Sequence, residues 1–109
     1  MDNQKFNLFL DRLLEKTEQD KLEWEKTADR NTLLLVLKDS AISMTKVAGS
    51  YFSVDFRNDL GDVVDSVTVS ILYANNEQLE KVKKLYELAR RQTLKFDKTV
   101  DHILEQLAA

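Results

Sequence analysis

Four groups of side chains in this sequence have the types that chemistry requires. The first is His102, the only histidine. A general base or a metal ligand needs partners that converge on it from elsewhere in the chain. The sequence neighbours of His102, Asp101 and Glu105, sit beside the apolar stripe Val100, Ile103 and Leu104. That setting reads as the surface of a helix. The second group is Asp55, Asp59, Asp62 and Asp65, gathered around one hairpin. Such carboxylates can offer oxygens to a divalent cation. Their spacing is not that of an EF-hand loop, and turn formation with protection of a sheet edge accounts for them more simply. A nuclease or hydrolase built on them would need at least two acids meeting in a cleft.

The third group is Ser40, Ser43, Ser50 and Ser53, which lie in no nucleophile-elbow context and have no histidine partner. Two isolated glycines, Gly49 and Gly61, cannot build a phosphate-cradling loop. The expectation is a chain that is not an enzyme and uses no cofactor or metal.

The fourth group is basic. Between Glu80 and Lys98, seven cations face three carboxylates, a local excess of four positive charges. Lys84, Arg90, Arg91 and Lys95 are the candidates for binding an anion, whether a nucleotide or a nucleic-acid phosphate. Against this, Lys81, Lys84 and Arg91 each have an acid four residues earlier, in the order that favours intrahelical pairing. The corner between Thr93 and Phe96 also lacks the glycine common in helix-turn-helix corners. Nucleic acid is therefore not favoured as a partner. Residues 1–29 carry eight acids and five bases, so opposed faces of unlike charge could pair two copies.

The elements that position these groups follow from hydrophobic spacing. Phe6, Phe9, Leu10, Leu13 and Leu14 fall on one helical face, and Asp2 or Asn3 can cap its start, giving a helix over 3–18. Leu22 and Trp24 alternate with charged residues, as a short strand or an extended arm. Trp24 is a candidate interface anchor, although covering the end of a small core is the commoner use. Four strands are then expected between about Arg30 and Ile71. Phe52, Val54 and Phe56 show the period of a half-buried strand. Asn58-Asp59-Leu60-Gly61 reads as a hairpin, and a bulge is expected near Val64 and Asp65. The segment Thr32–Lys38 is apolar on both faces, with Leu34 and Val36 opposite Leu33, Leu35 and Leu37. Leu34 and Val36 are thus candidate interface residues.

Asn75, with Gln78 three residues on, has capping-box spacing for a helix with the face Leu79, Val82, Leu85, Tyr86 and Ala89. Asp97 can cap a last helix whose stripe is Val100, Ile103, Leu104 and Leu107, with Leu94 and Phe96 anchoring the corner between the two helices. The fold class is α+β: an N-terminal helix, a four-stranded antiparallel meander, and two C-terminal helices packed on one sheet face.

The 109 residues suit a single domain, 1–109. Such a chain buries roughly two-thirds of its extended surface on folding. Hydrophobic content of 43% against charged content of 32% places it among folded globular chains. The absence of cysteine excludes disulfides and thiolate chemistry. No apolar run approaches the ~20 residues of a membrane span, and Met1-Asp2-Asn3-Gln4-Lys5 lacks a signal-peptide layout. A cytoplasmic setting without membrane contact is expected.

Trp24-Glu25-Lys26-Thr27, the Asp59–Asp62 hairpin and Leu85-Tyr86-Glu87-Leu88-Ala89-Arg90-Arg91 together form a layout that resembles small bacterial α+β proteins of unknown function. The resemblance implies no activity and no site residue. The resulting expectation is a protein-interaction or regulatory module that self-associates as a homodimer. The alternative is an anion- or nucleic-acid-binding protein.

Overall fold

Asp2 starts the first helix by accepting the backbone N–H of Lys5 at 2.8 Å, so α1 runs Asn3–Glu18. The structure, a computed structural model, describes residues 1–49, 51–70 and 76–108. The expected cap at Asn75 lies outside them. Helix α1 ends in a Schellman arrangement. Asp20 takes the left-handed conformation (φ 56°), while the N–H groups of Asp20 and Lys21 return to the carbonyls of Thr17 and Lys16.

Five strands follow in chain order: β1 (Trp24–Lys26), β2 (Thr32–Val36), β3 (Ala41–Ala48), β4 (Tyr51–Arg57) and β5 (Val63–Val69). They form one antiparallel sheet in sequential order. The expectation of four strands is corrected to five, because Trp24, Glu25 and Lys26 pair with Leu35, Leu34 and Leu33. Three residues are too few to show a period, but the edge they form is well held. The Gln92 side chain accepts the Trp24 N–H at 2.7 Å and donates to the Leu22 carbonyl at 2.7 Å. It therefore occupies an edge that would otherwise be open for pairing.

The expected bulge is present. Phe56 faces Asp65 and Arg57 faces Val63, so Val64 is the extra residue. In the β4–β5 turn, the Asn58 side chain accepts the N–H groups of Leu60 and Asp62, both at 3.0 Å. Gly61 supplies the positive φ of 85° that closes this turn.

Helix α2 (Asn76–Thr93) lies beside α1, and both helices cover one sheet face. The buried cluster between the layers draws Phe6 and Leu10 from α1, Val82 and Leu85 from α2, and Leu35 and Val54 from the sheet. The helices run in the same direction: Asp11 pairs with Lys81 at 2.8 Å and Glu18 with Lys84 at 3.0 Å.

The last helix departs from expectation. Helix α3 (Phe96–Ala108) begins one residue before Asp97, so Asp97 falls inside its first turn. Lys95 takes the left-handed conformation (φ 52°) usually left to glycine, which turns the chain without one. Of the two expected corner anchors, Leu94 is half-exposed and does not serve as one; the Phe96 side chain lies outside the described residues. Nor does α3 pack on the sheet, as the two-helix layer required; its packing neighbour is α2. A 13-residue helix is roughly 20 Å long. The molecule measures 54 × 32 × 25 Å.

Candidate interaction surface

Among the described side chains of helix α3, residues 98–108, every one is exposed. Val100, Ile103, Leu104 and Leu107 are between 37% and 77% exposed, and they form one stripe at helical spacing. Isolated helices of about 12–15 residues or fewer are marginal in water, because tertiary packing normally supplies most of their stability. The charges on α3 are mixed: Lys98 and Asp101 are unlike charges three residues apart, a favourable spacing, but the rest are not. Asp101 and Glu105 are like charges four residues apart, and the last turn contains no base to complement the macrodipole.

A second apolar surface lies at the opposite end of the fold. The first half of α1 overhangs the sheet where the β2–β3 and β4–β5 turns meet, leaving a groove between them. Phe9, Ile42 and Phe56 form its floor, and Leu8, Leu37 and Val64 its rim. Phe9 and Phe56 are in ring contact at 4.7 Å, which ties α1 to the sheet at this point. Leu8 is 55% and Val64 64% exposed. Three cations also line the groove: Lys5, Arg12 and Arg57. Arg57 donates to the Gly61 carbonyl at 3.1 Å. Among the described residues, Lys5 and Arg12 take part in none of the ion pairs.

The sequence-predicted interface residues separate. Trp24 is in the core, with its indole N–H donating to the Thr17 hydroxyl at 3.1 Å. Leu34 and Val36 lie on the sheet face away from the helices; Leu34 is half-buried and Val36 is 56% exposed. In register, Leu34 sits beside Ser43, Asp55 and Ser66, and Val36 beside Ala41, Arg57 and Val63. That face is rich in hydroxyls; Val36, Ala41 and Val63 lie near one end of it, and Tyr51 near the other.

The predicted anion set also separates. Lys84 pairs with Glu18. Arg91 and Lys95 line a depression that also holds Glu18 and Asp20. Arg90 lies elsewhere, in a cleft of about 350 Å³ against the β1–β2 hairpin, where Lys26 and Arg30 join it and Asp29 is the one acid. The Asp29 carboxylate is engaged locally, accepting the Asn31 N–H at 2.9 Å and the Thr32 hydroxyl at 3.1 Å. Sequence reasoning missed Lys26 and Arg30, although their position on either side of a loop before an apolar strand was the available signal. Near this cleft, the Tyr86 hydroxyl donates to the Asn31 carbonyl at 3.1 Å. Burial raises the Tyr86 phenol above its usual value, and the Arg90 charge opposes that rise.

The hairpin carboxylates do not meet. Asp55 accepts hydroxyls from Ser53 and Ser66. Asp65 pairs with the Met1 ammonium at 3.0 Å. That hydrogen bond, together with the Ser66 N–H, holds the Asp65 carboxyl below the usual carboxylate range. Asp59 and Asp62 are exposed in the turn. Among the described residues, no three histidine or acidic side chains gather as a metal site. His102 is exposed on α3. Among the described residues, no helix is long and apolar enough to cross a membrane. No family model matches the chain, and no curated protein or solved structure matches it either.

Proposed function

We propose that this chain is a non-enzymatic interaction module whose working form is a homo-oligomer, most simply a homodimer, held through α3. The observation that carries this reading is the stripe Val100, Ile103, Leu104 and Leu107, set on a helix that has no core of its own. Contiguous apolar surface of this kind on a folded domain marks an association site. A second copy suits it because the same chain carries an apolar groove lined by cations, while α3 carries acids beside its stripe. The cytoplasm is the setting taken for this role, since a chain without cysteine depends on no oxidising compartment.

Light scattering across a wide concentration range tests the reading. The weight-average mass is expected to rise above the 12.6 kDa of one chain towards twice that value. A mass that stays at one chain to near-millimolar concentration overturns it.

The cleft of Lys26, Arg30 and Arg90 supports a second reading, capture of a small anion. Three cations against one engaged acid leave positive charge unbalanced there. At low salt, inorganic phosphate is then expected to raise the unfolding temperature, and Arg90→Ala is expected to lose most of that rise. Equal responses in the two chains, or none in either, remove this reading.

A further inference from the structure

The geometry points to reciprocal arm exchange: α3 of one copy lies in the α1–sheet groove of a second copy, with Asp101 and Glu105 against Lys5 and Arg12. This inference rests on the self-association proposed above and specifies what the arm binds.

In the single chain the arm does not lie in its own groove, none of whose lining residues comes from α3. Only Leu94 and Lys95 connect α2 to α3, and the start of α3 lies beside Glu18 and Asp20, at the far end of α1. The groove lies along the stretch of the same helix from Lys5 through Leu8 to Arg12. The sheet shows the same separation. The α2 C-terminus meets the β1–β2 hairpin, whereas the groove opens at the β2–β3 and β4–β5 turns. Strands of seven or eight residues place these ends roughly 20 Å apart. Two copies laid side by side in opposite directions put each arm next to the other's groove. The exchange therefore closes at two instead of growing into a filament.

Chemistry selects the same pair. Along α1, Lys5 and Arg12 bracket Leu8 and Phe9; along α3, Asp101 and Glu105 bracket Ile103 and Leu104. Docking brings cations to two acids that repel each other on the isolated helix. It also covers Leu8 and Val64 together with the α3 stripe. An exposed apolar patch of this kind measures a few hundred Å², whereas a stable pair buries about 800 Å² per partner. One α3–α3 contact falls short of that area. In the exchange each copy contributes both an arm and a groove, and the two contacts together approach it.

Complementation between two variants tests the exchange. The first carries I103D/L104D and has no working arm; the second carries L8D/V64D and has no working groove. All four positions are exposed, and circular dichroism with thermal unfolding of each variant checks that it folds. Each variant alone is expected to associate at least ~100-fold more weakly than the parent, since two buried aliphatic side chains are lost at each contact. Mixed together, they are expected to form a heterodimer through the one intact arm and the one intact groove, weaker than the parent dimer because one of its two contacts is missing, but tighter than either variant with itself. If L8D/V64D self-associates like the parent, the arms pair with each other and the exchange is wrong. If the mixture associates no more tightly than either variant alone, it is equally wrong. If the parent itself is a monomer, the underlying reading fails first.

Discussion

The double substitution I103D/L104D is expected to produce a folded monomer. Burial of an aliphatic side chain stabilises by roughly 1.5–3 kcal/mol, and each 1.4 kcal/mol is a tenfold change in affinity. Losing two such side chains, and placing a charge at each position, weakens association by about two orders of magnitude or more. Neither side chain contributes to the core, because both are about half-exposed in the single chain. Substitutions at such positions stay within about 0.5 kcal/mol. At a dilution where the parent is also dissociated, the two chains should therefore unfold within about 4 °C of each other. Comparing them at high concentration would confuse the two effects, since association stabilises the folded state by mass action. Sedimentation gives the association constant, and thermal unfolding of dilute samples gives the stability.

Leu10→Ala should do the reverse. Leu10 is fully buried in α1, in the cluster that includes Phe6 and Leu13 from its own helix and Val82 and Leu85 from α2. Truncation removes transfer free energy and leaves a cavity that the two helices close only in part, at a cost of about 2–5 kcal/mol. A domain of this size holds on the order of 5–15 kcal/mol in total. The midpoint temperature should fall by roughly 10 °C or more. Trp24 is the single tryptophan and lies in the same core, so its fluorescence reports the transition directly. Denaturant midpoints for Leu10→Ala and I103D/L104D, measured side by side, should separate apolar residues that hold the fold from those that serve contact.

The contrast between these two positions also shows what could be read from the sequence. The stripe Phe6, Leu10 and Leu13 and the stripe Val100, Leu104 and Leu107 have the same spacing. Periodicity established both helices, and α1 has the expected bounds. It could not say which stripe would find a cover, because amphipathicity records a demand for burial and not the surface that meets it. The β4–β5 hairpin and its bulge were legible because turn chemistry and a break in alternation are local signals. The edge strand Trp24–Lys26 was ambiguous because three residues carry no period, and Gln92, nearly 70 residues away, holds its edge. The same distance in sequence concealed the candidate sites. Lys84 read as the partner of Glu80, but the packing of α1 on α2 brings it Glu18 instead. The groove cations come from α1 and from β4, segments that no motif links.

The measurement that tests the account most directly is hydrogen exchange of the α3 amides from Lys98 to Leu107. The parent and the I103D/L104D chain are compared at the same high concentration. A lone helix of this length is marginal in water, so strong protection of α3 requires a partner surface. Protected α3 amides are expected in the parent and loss of that protection in the variant, a loss larger than the change that association brings to the α1 and α2 amides by mass action. If the α3 amides exchange freely in the concentrated parent, or are equally protected in both chains, α3 is not a contact arm and the account is contradicted.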